Sequence, residues 1–213
     1  MFDLPVPVYT GNLESTSMES YMSATVSPRP ALYGTLVWLA GATAIGLTGV
    51  LGTLRFGPQL LALVLTVAAV FVSSRVAVVR DSVDALPLQA LVGIHAARFI
   101  GIAFLILGAR GELSPLFAER AGWGDVTTAA IAVALLLIGL AKVPRRVLLA
   151  WNVLGILDLI VAVGTATFLV VRGDVPGVTP LLGLPLILVP IFAVPLLFVA
   201  HVALFRRLRA PTK

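Results

Sequence analysis

Val147–Val171 reads VLLAWNVLGILDLIVAVGTATFLVV, a stretch with one charged side chain, Asp158. A helix needs about 20 predominantly apolar residues to cross the roughly 30 Å hydrocarbon core of a bilayer. This segment is long enough to do so. A helix that is hydrophobic all round is either the centre of a large protein or a membrane span. Read as a span, it carries a carboxylate inside the membrane.

The same measure gives five more apolar stretches, near 31–54, 59–79, 85–108, 126–142 and 180–205, of which 126–142 is the shortest. Of 213 residues, 59% are hydrophobic and 12% are charged, with a mean hydropathy of +1.06. An ordinary soluble domain carries about 25% charged residues, and a soluble fold of this size cannot hide so much apolar surface in one core. The expected fold class is all-α, a polytopic transmembrane helix bundle of about six spans over residues 31–208. A mobile cytoplasmic tail, 1–30, precedes it and a basic C-terminal tail, 209–213, follows. The first 30 residues lack the charged start, apolar centre and cleavage site of a secretory signal. Met22 opens an alternative start.

Cysteine is absent, so disulfides, thiolate metal sites, Fe–S clusters and cysteine nucleophiles are excluded. The pI near 10.4 reflects topology and not nucleic-acid binding, because the basic residues lie mainly between the spans. With both termini on the cytoplasmic side, Arg29, Arg75, Arg80, Lys142, Arg145, Arg146, Arg206, Arg207, Arg209 and Lys213 are inside. Arg55, Arg110, Arg120 and Arg172 are outside. That bias satisfies the positive-inside rule and an even number of spans. The expected location is a bacterial cytoplasmic membrane, with the lipid bilayer as partner and a homo-oligomer or a membrane complex as further possibilities.

Charges inside a membrane are costly, about 2.5–3.5 kcal/mol at a helix centre on insertion scales, and mark function or pairing. His95, Arg98, Asn152, Asp158 and His201 are therefore the candidate buried polar site. Asn152, Gly155 and Asp158 recur every third residue, which puts them on one helix stripe. Counting about 1.5 Å per residue, Arg98 and Asp158 both lie roughly 15–20 Å deep and form the natural ion pair. On the same count His95 lies about 13–15 Å deep, with Asn152 and His201 nearer the inner boundary. Trp151 is read as an interfacial anchor.

Gly93, Ala97 and Gly101, four residues apart, form a small-residue packing ridge, and Gly155 extends the packing stripe of the fifth span. Pro180, Pro185, Pro190 and Pro195 recur at steps of five in the last span. Pro180 is an ordinary first-turn proline; Pro185, Pro190 and Pro195 each remove a backbone hydrogen bond and kink the helix. The freed carbonyls should face the third or fifth span and not lipid. Gly122-Trp123-Gly124-Asp125 is expected in an outer loop, with Asp125 capping the fourth helix and Trp123 at the interface.

Two histidines on different helices admit bis-His haem ligation, with Arg98 at a propionate, or a zinc site with Asp158. Neither cofactor is favoured, because no motif fixes how the two rings face. No HExxH, GxSxG or GxxxxGK pattern is present, and the reading leans away from an enzyme.

The Gly122-Trp123-Gly124-Asp125 segment, Trp151-Asn152-x-x-Gly155-x-x-Asp158-Leu159, the proline-rich last span and His201 together resemble a set of uncharacterised bacterial integral membrane proteins. The resemblance covers roughly residues 85–205 and brings no activity with it. The leading functional expectation is a small transport protein in which His95, Arg98 and Asp158 control a proton or anion site. The alternatives are a non-catalytic membrane subunit or assembly factor and a haem-binding redox protein.

Overall fold

A computed structural model describes residues 29–54 and 56–209, so the two expected tails lie almost wholly outside the described residues. Every regular element among them is helical. Six helices are long and apolar enough to cross a membrane: Arg29–Thr48, Gly57–Arg75, Leu88–Ala109, Pro115–Ile138, Arg145–Val171 and Val189–Arg209. The chain is an all-α multi-pass membrane bundle. Short connections alternate the direction of successive spans, so the ends at Arg29 and Arg209 share one face. The residues between the second and third spans, and between the fourth and fifth, lie there too. It is called the basic face below.

The spans are not equivalent. Half of the sixth span's most apolar window is buried against protein, but only 6% of the first span's. Leu36, Val37, Leu63, Val64, Val67 and Phe71 on the first two spans are exposed, as side chains facing lipid are. The last span is thus central and the first peripheral. Two apolar clusters close the ends of the bundle. On the basic side, Val83, Leu91, Val92, Leu135, Leu148, Trp151 and Leu204 pack together. On the opposite side, Phe104, Phe117, Leu169, Val178 and Leu181 do so, with the Phe104 and Phe117 rings edge to face at 5.4 Å.

Helix ends follow from local chemistry. The fifth span stops at Gly173, whose φ of +86° suits a residue without Cβ. There the Asp174 N–H reaches back to the Leu169 carbonyl at 2.9 Å and the Gly173 N–H to Val170 at 3.1 Å. On the basic face a short helix, Ala77–Asp84, links the second and third spans. The last turn of the sixth span grips its end. Arg206 pairs with Asp84 at 2.8 Å and donates to Ser74 Oγ, while Arg207 donates to the Val83 and Asp84 carbonyls. Cations on the last carbonyls of a helix satisfy orphan acceptors and oppose its dipole.

Three spans differ from the sequence expectation. The fourth begins at Pro115 and not near 126, so it is a full-length crossing. The third is α-helical over Leu88–Gly93 and Gly101–Ala109, but Ile94–Ile100 between them is a 3-10 helix. The sixth starts at Val189 and not at 180. Pro180 lies in a separate 3-10 segment, Pro176–Leu182, and Pro185 lies in a turn outside the span, so Pro185 delimits this helix and does not kink it.

Pro190 sits inside a π-helical turn, Val189–Ala193, and Pro195 follows in the first turn of the α-helix Val194–Arg209. Pro195 has no N–H for the Ile191 carbonyl. That carbonyl instead accepts from Trp38 Nε1 at 3.2 Å. Its partner comes from the first span and not from the third or fifth, because the π turn aims it outward at the peripheral helix.

Candidate functional site

In a 3-10 helix three residues make a turn, so positions i and i+3 eclipse. The segment Ile94–Ile100 therefore stacks His95 above Arg98 on one line, continued by Val92 on one side and Gly101 and Phe104 on the other. All five are buried, His95 fully and Arg98 to within 1%. The expected Gly93–Ala97–Gly101 ridge does not survive this change of pitch. Gly101 meets the fourth span, where an added Cβ would lie 2.6 Å from the Gly122 carbonyl. Gly93 has only an ordinary contact with Leu136, and Ala97 is exposed.

Arg98 projects into the space between the third, fourth and fifth spans and meets two carboxylates. Nε donates to Asp125 Oδ1 at 2.7 Å, and Nη2 donates to Asp158 Oδ2. Nη1 donates to the Gly155 carbonyl at 3.1 Å. The structure thus brings Arg98 and Asp158 together and adds Asp125. Asp125 is neither in a loop nor a cap. It lies ten residues into the fourth helix because that helix starts early. Trp123 stands two residues before it on the exposed surface of the same helix.

Two glycines make room for this cluster. A Cβ at Gly124 would overlap the Asp158 carboxylate, with Cγ at 2.5 Å. A Cβ at Gly155 would lie 2.5 Å from His201 Cε1. At both positions only a bare backbone lets the neighbouring polar side chain approach.

Toward the basic face, His201 lies beside His95 with ring centroids 4.1 Å apart, and Trp151 meets the His95 ring edge-on at 5.1 Å. His201 is therefore not near the inner boundary as expected from the 180–205 span. The true span runs to Arg209, which draws His201 inward. Asn152 holds it twice. Asn152 Nδ2 donates to the His201 carbonyl at 3.1 Å, and its Oδ1 lies 2.8 Å from His201 Nδ1. An amide oxygen accepts, so Nδ1 carries the hydrogen and Nε2 is left with its lone pair. Trp151 is no interfacial anchor. It is buried, and its Nε1 donates to the Thr128 carbonyl at 3.1 Å.

Both ring nitrogens of His95, His201 Nε2 and Thr128 Oγ1 are buried without a hydrogen-bond partner. Imidazole–metal bonds are about 2.0–2.1 Å long, and axial imidazoles stand on opposite faces of a porphyrin. Rings in tilted contact at 4.1 Å leave no layer for a macrocycle between them. Asp158 is engaged by Arg98 and not by the histidines. Among the described residues, no group of three or more His, Asp or Glu side chains is placed to hold a metal ion.

On the side away from the basic face, Arg98 and Asp125 border a cavity of about 90 Å³. A single water needs about 10–15 Å³ of such space, so the cavity has room for a small molecule. Its walls are apolar, from Ala62, Phe104, Phe117, Leu159, Ala162, Pro190 and Val194 among others, and its one further polar lining residue is Gln59. Pro190 thus borders the cavity through the π turn. Sequence reasoning missed Gln59, Gly124, Thr128 and the role of Asp125. A usable signal did exist: Ala118, Gly122, Asp125, Ala129 and Ala132 mark one small-residue face of a continuous helix, introduced by a first-turn proline at Pro115.

Residues 55–209 match DUF8737, a domain of unknown function, and the chain belongs to that family. No curated protein and no solved structure matches the chain.

Proposed function

We propose that this is a small proton-transporting protein of a bacterial inner membrane, with both termini cytoplasmic. In this reading the Arg98–Asp125–Asp158 cluster takes up and releases one proton. The observation that carries it is the charge count. One guanidinium faces two carboxylates, all three inside membrane spans and nearly dry. A device that only locks helices together needs one carboxylate per guanidinium. The second leaves a net negative charge in a medium that penalises it, and a single proton removes that charge. The cluster therefore has two charge states one proton apart. The same count favours a proton or a cation over an anion at this site.

His95 and His201 continue the line of titratable groups toward the basic face, and the cavity reaches the carboxylates from the other side. Together they give the cluster one neighbour in each half of the membrane. The ten-to-four distribution of basic residues supports the orientation.

A second reading is a non-catalytic membrane subunit, alone or in a complex, whose polar cluster specifies packing. The close approaches at Gly101, Gly124 and Gly155 favour it. Proteoliposomes with an entrapped pH-sensitive dye separate the two. Under an imposed membrane potential the wild type should move protons, and Asp125→Asn and Asp158→Asn, checked for retained helicity, should each lower the rate at least tenfold. Flux no greater than that of empty liposomes would sink the transport reading and leave the packing one.

A further inference from the structure

The proton cluster forms only one wall of the cavity, and the remaining walls have a chemistry of their own. They are almost wholly apolar, contributed by the second, third, fourth, fifth and sixth spans and by the 3-10 segment Pro176–Leu182. An apolar cavity of this kind holds water poorly and takes apolar bodies readily. Two features break the apolar lining. Asp125 lines the cavity while already bonded to Arg98 through one oxygen. Gln59, on the first turn of the second span, also lines it, and its Oε1 is shut off from solvent with no donor. Buried acceptors are almost always satisfied, so an orphan acceptor beside an empty apolar space calls for a donor from whatever fills that space.

Resting on the proton site above, we propose that the cavity binds a small organic cation with an apolar body and N–H donors, an alkylammonium or alkylguanidinium, in competition with the proton, so that binding the one releases the other. Its charge replaces the proton as the counter-charge of the second carboxylate. Its N–H groups reach Asp125 and Gln59 Oε1, and its hydrocarbon part fills the apolar walls. The balance at the site is one cation bound for one proton released, with no bond to carbon made or broken. Arg98 does not repel the guest, because its own charge is already matched by the first carboxylate. The volume sets the size: a body of a few carbons fits, and a multi-ring cation does not.

The probe is ethylguanidinium, which stays charged at any neutral pH and so takes up or gives off no proton of its own in the titration. The full-length protein in detergent is titrated with it by calorimetry in two buffers of different ionisation enthalpy, which reads both affinity and protons released. The expected result is saturable binding with proton release. Ethylurea, the neutral isostere, should bind at least tenfold more weakly. Asp125→Asn should abolish the proton release. Gln59→Leu, an apolar substitution in an apolar wall that leaves the Arg98 cluster intact, should weaken binding about tenfold.

Three results would each overturn the proposal: no saturable binding, equal binding of ethylurea, or binding by Asp125→Asn with unchanged affinity. None of them touches the proton reading, which is decided separately by flux into liposomes without any added cation.

Discussion

Gly124→Ala is expected to destabilise the protein, although helix propensity alone argues the opposite sign. Gly124 lies inside the helix Pro115–Ile138, where exchanging an interior glycine for alanine ordinarily gains about 0.8–1.0 kcal/mol. Here the new Cβ would overlap the Asp158 carboxylate, with its Cγ at 2.5 Å. Either the fourth and fifth spans separate, an overpacking cost of about 1–3 kcal/mol, or Asp158 swings away and Arg98 loses a charge-assisted bond, which costs about 1.5–3 kcal/mol. Set against the propensity gain, the net loss is about 0–2 kcal/mol by overpacking and about 0.5–2 kcal/mol by losing the bond, centred near 1 kcal/mol on either route.

Gly164→Ala is the internal control, because a Cβ there has nothing within 4 Å and only the propensity gain remains. Unfolding followed by circular dichroism in mixed micelles reads both variants against wild type. If Gly124→Ala proves as harmless as Gly164→Ala, the carboxylate does not lie against Gly124 and the Arg98 cluster is wrongly drawn.

Other outcomes follow from the same geometry. His95→Phe should change stability by less than about 1 kcal/mol, since it removes two unpartnered nitrogens and keeps a ring against Trp151. His201→Phe should cost about 1–3 kcal/mol by stranding Asn152 Oδ1; equal effects in the two micelle titrations would contradict the assigned partners. Trp38→Phe should lose about 1 kcal/mol by leaving the Ile191 carbonyl without a donor. Adding Pro195→Ala, which restores a backbone N–H for that carbonyl, should recover part of the loss, and strict additivity of the two changes would refute the swap. Reporter fusions after Lys142 and after Arg209 should both give a cytoplasmic signal, and an external signal from either overturns the orientation.

Helix number and fold class were legible because bilayer thickness imposes a length that apolar runs must meet. The nearness of Arg98 and Asp158 was legible for a related reason, since a fixed rise per residue turns position in a span into depth. The start of the fourth helix was not, because Glu119, Arg120, Gly122 and Gly124 lower the hydropathy in its first turns, at the end opposite the basic face. The small-residue face that continues through them reports packing and not apolarity, and it is the better guide there. Prolines announced that the last span was irregular, but neither the π turn nor the donation from Trp38 follows from proline spacing alone. The 3-10 segment has no local sequence cause at all. His-Ala-Ala-Arg-Phe is compatible with an α-helix, and the tighter winding exists because the tertiary fit demands that His95, Arg98 and Gly101 share one line.

That tighter winding gives the third span the properties of a screw. A 3-10 helix advances about 2.0 Å per residue and turns 120°, against about 1.5 Å and 100° for an α-helix. Rewinding the seven residues Ile94–Ile100 as α-helix would shorten the span by about 3.5 Å and rotate one end against the other by about 140°. The backbone would exchange i+3 for i+4 hydrogen bonds, and Arg98 would lose its bonds to Asp125, Asp158 and the Gly155 carbonyl. Such a turn would carry the Arg98 side chain round the helix axis and pull one end of the span out of its apolar cluster, so the two seated ends hold the tight winding in place. Spin labels at Leu88 and Ala109 would read the shortening directly as a change in their separation.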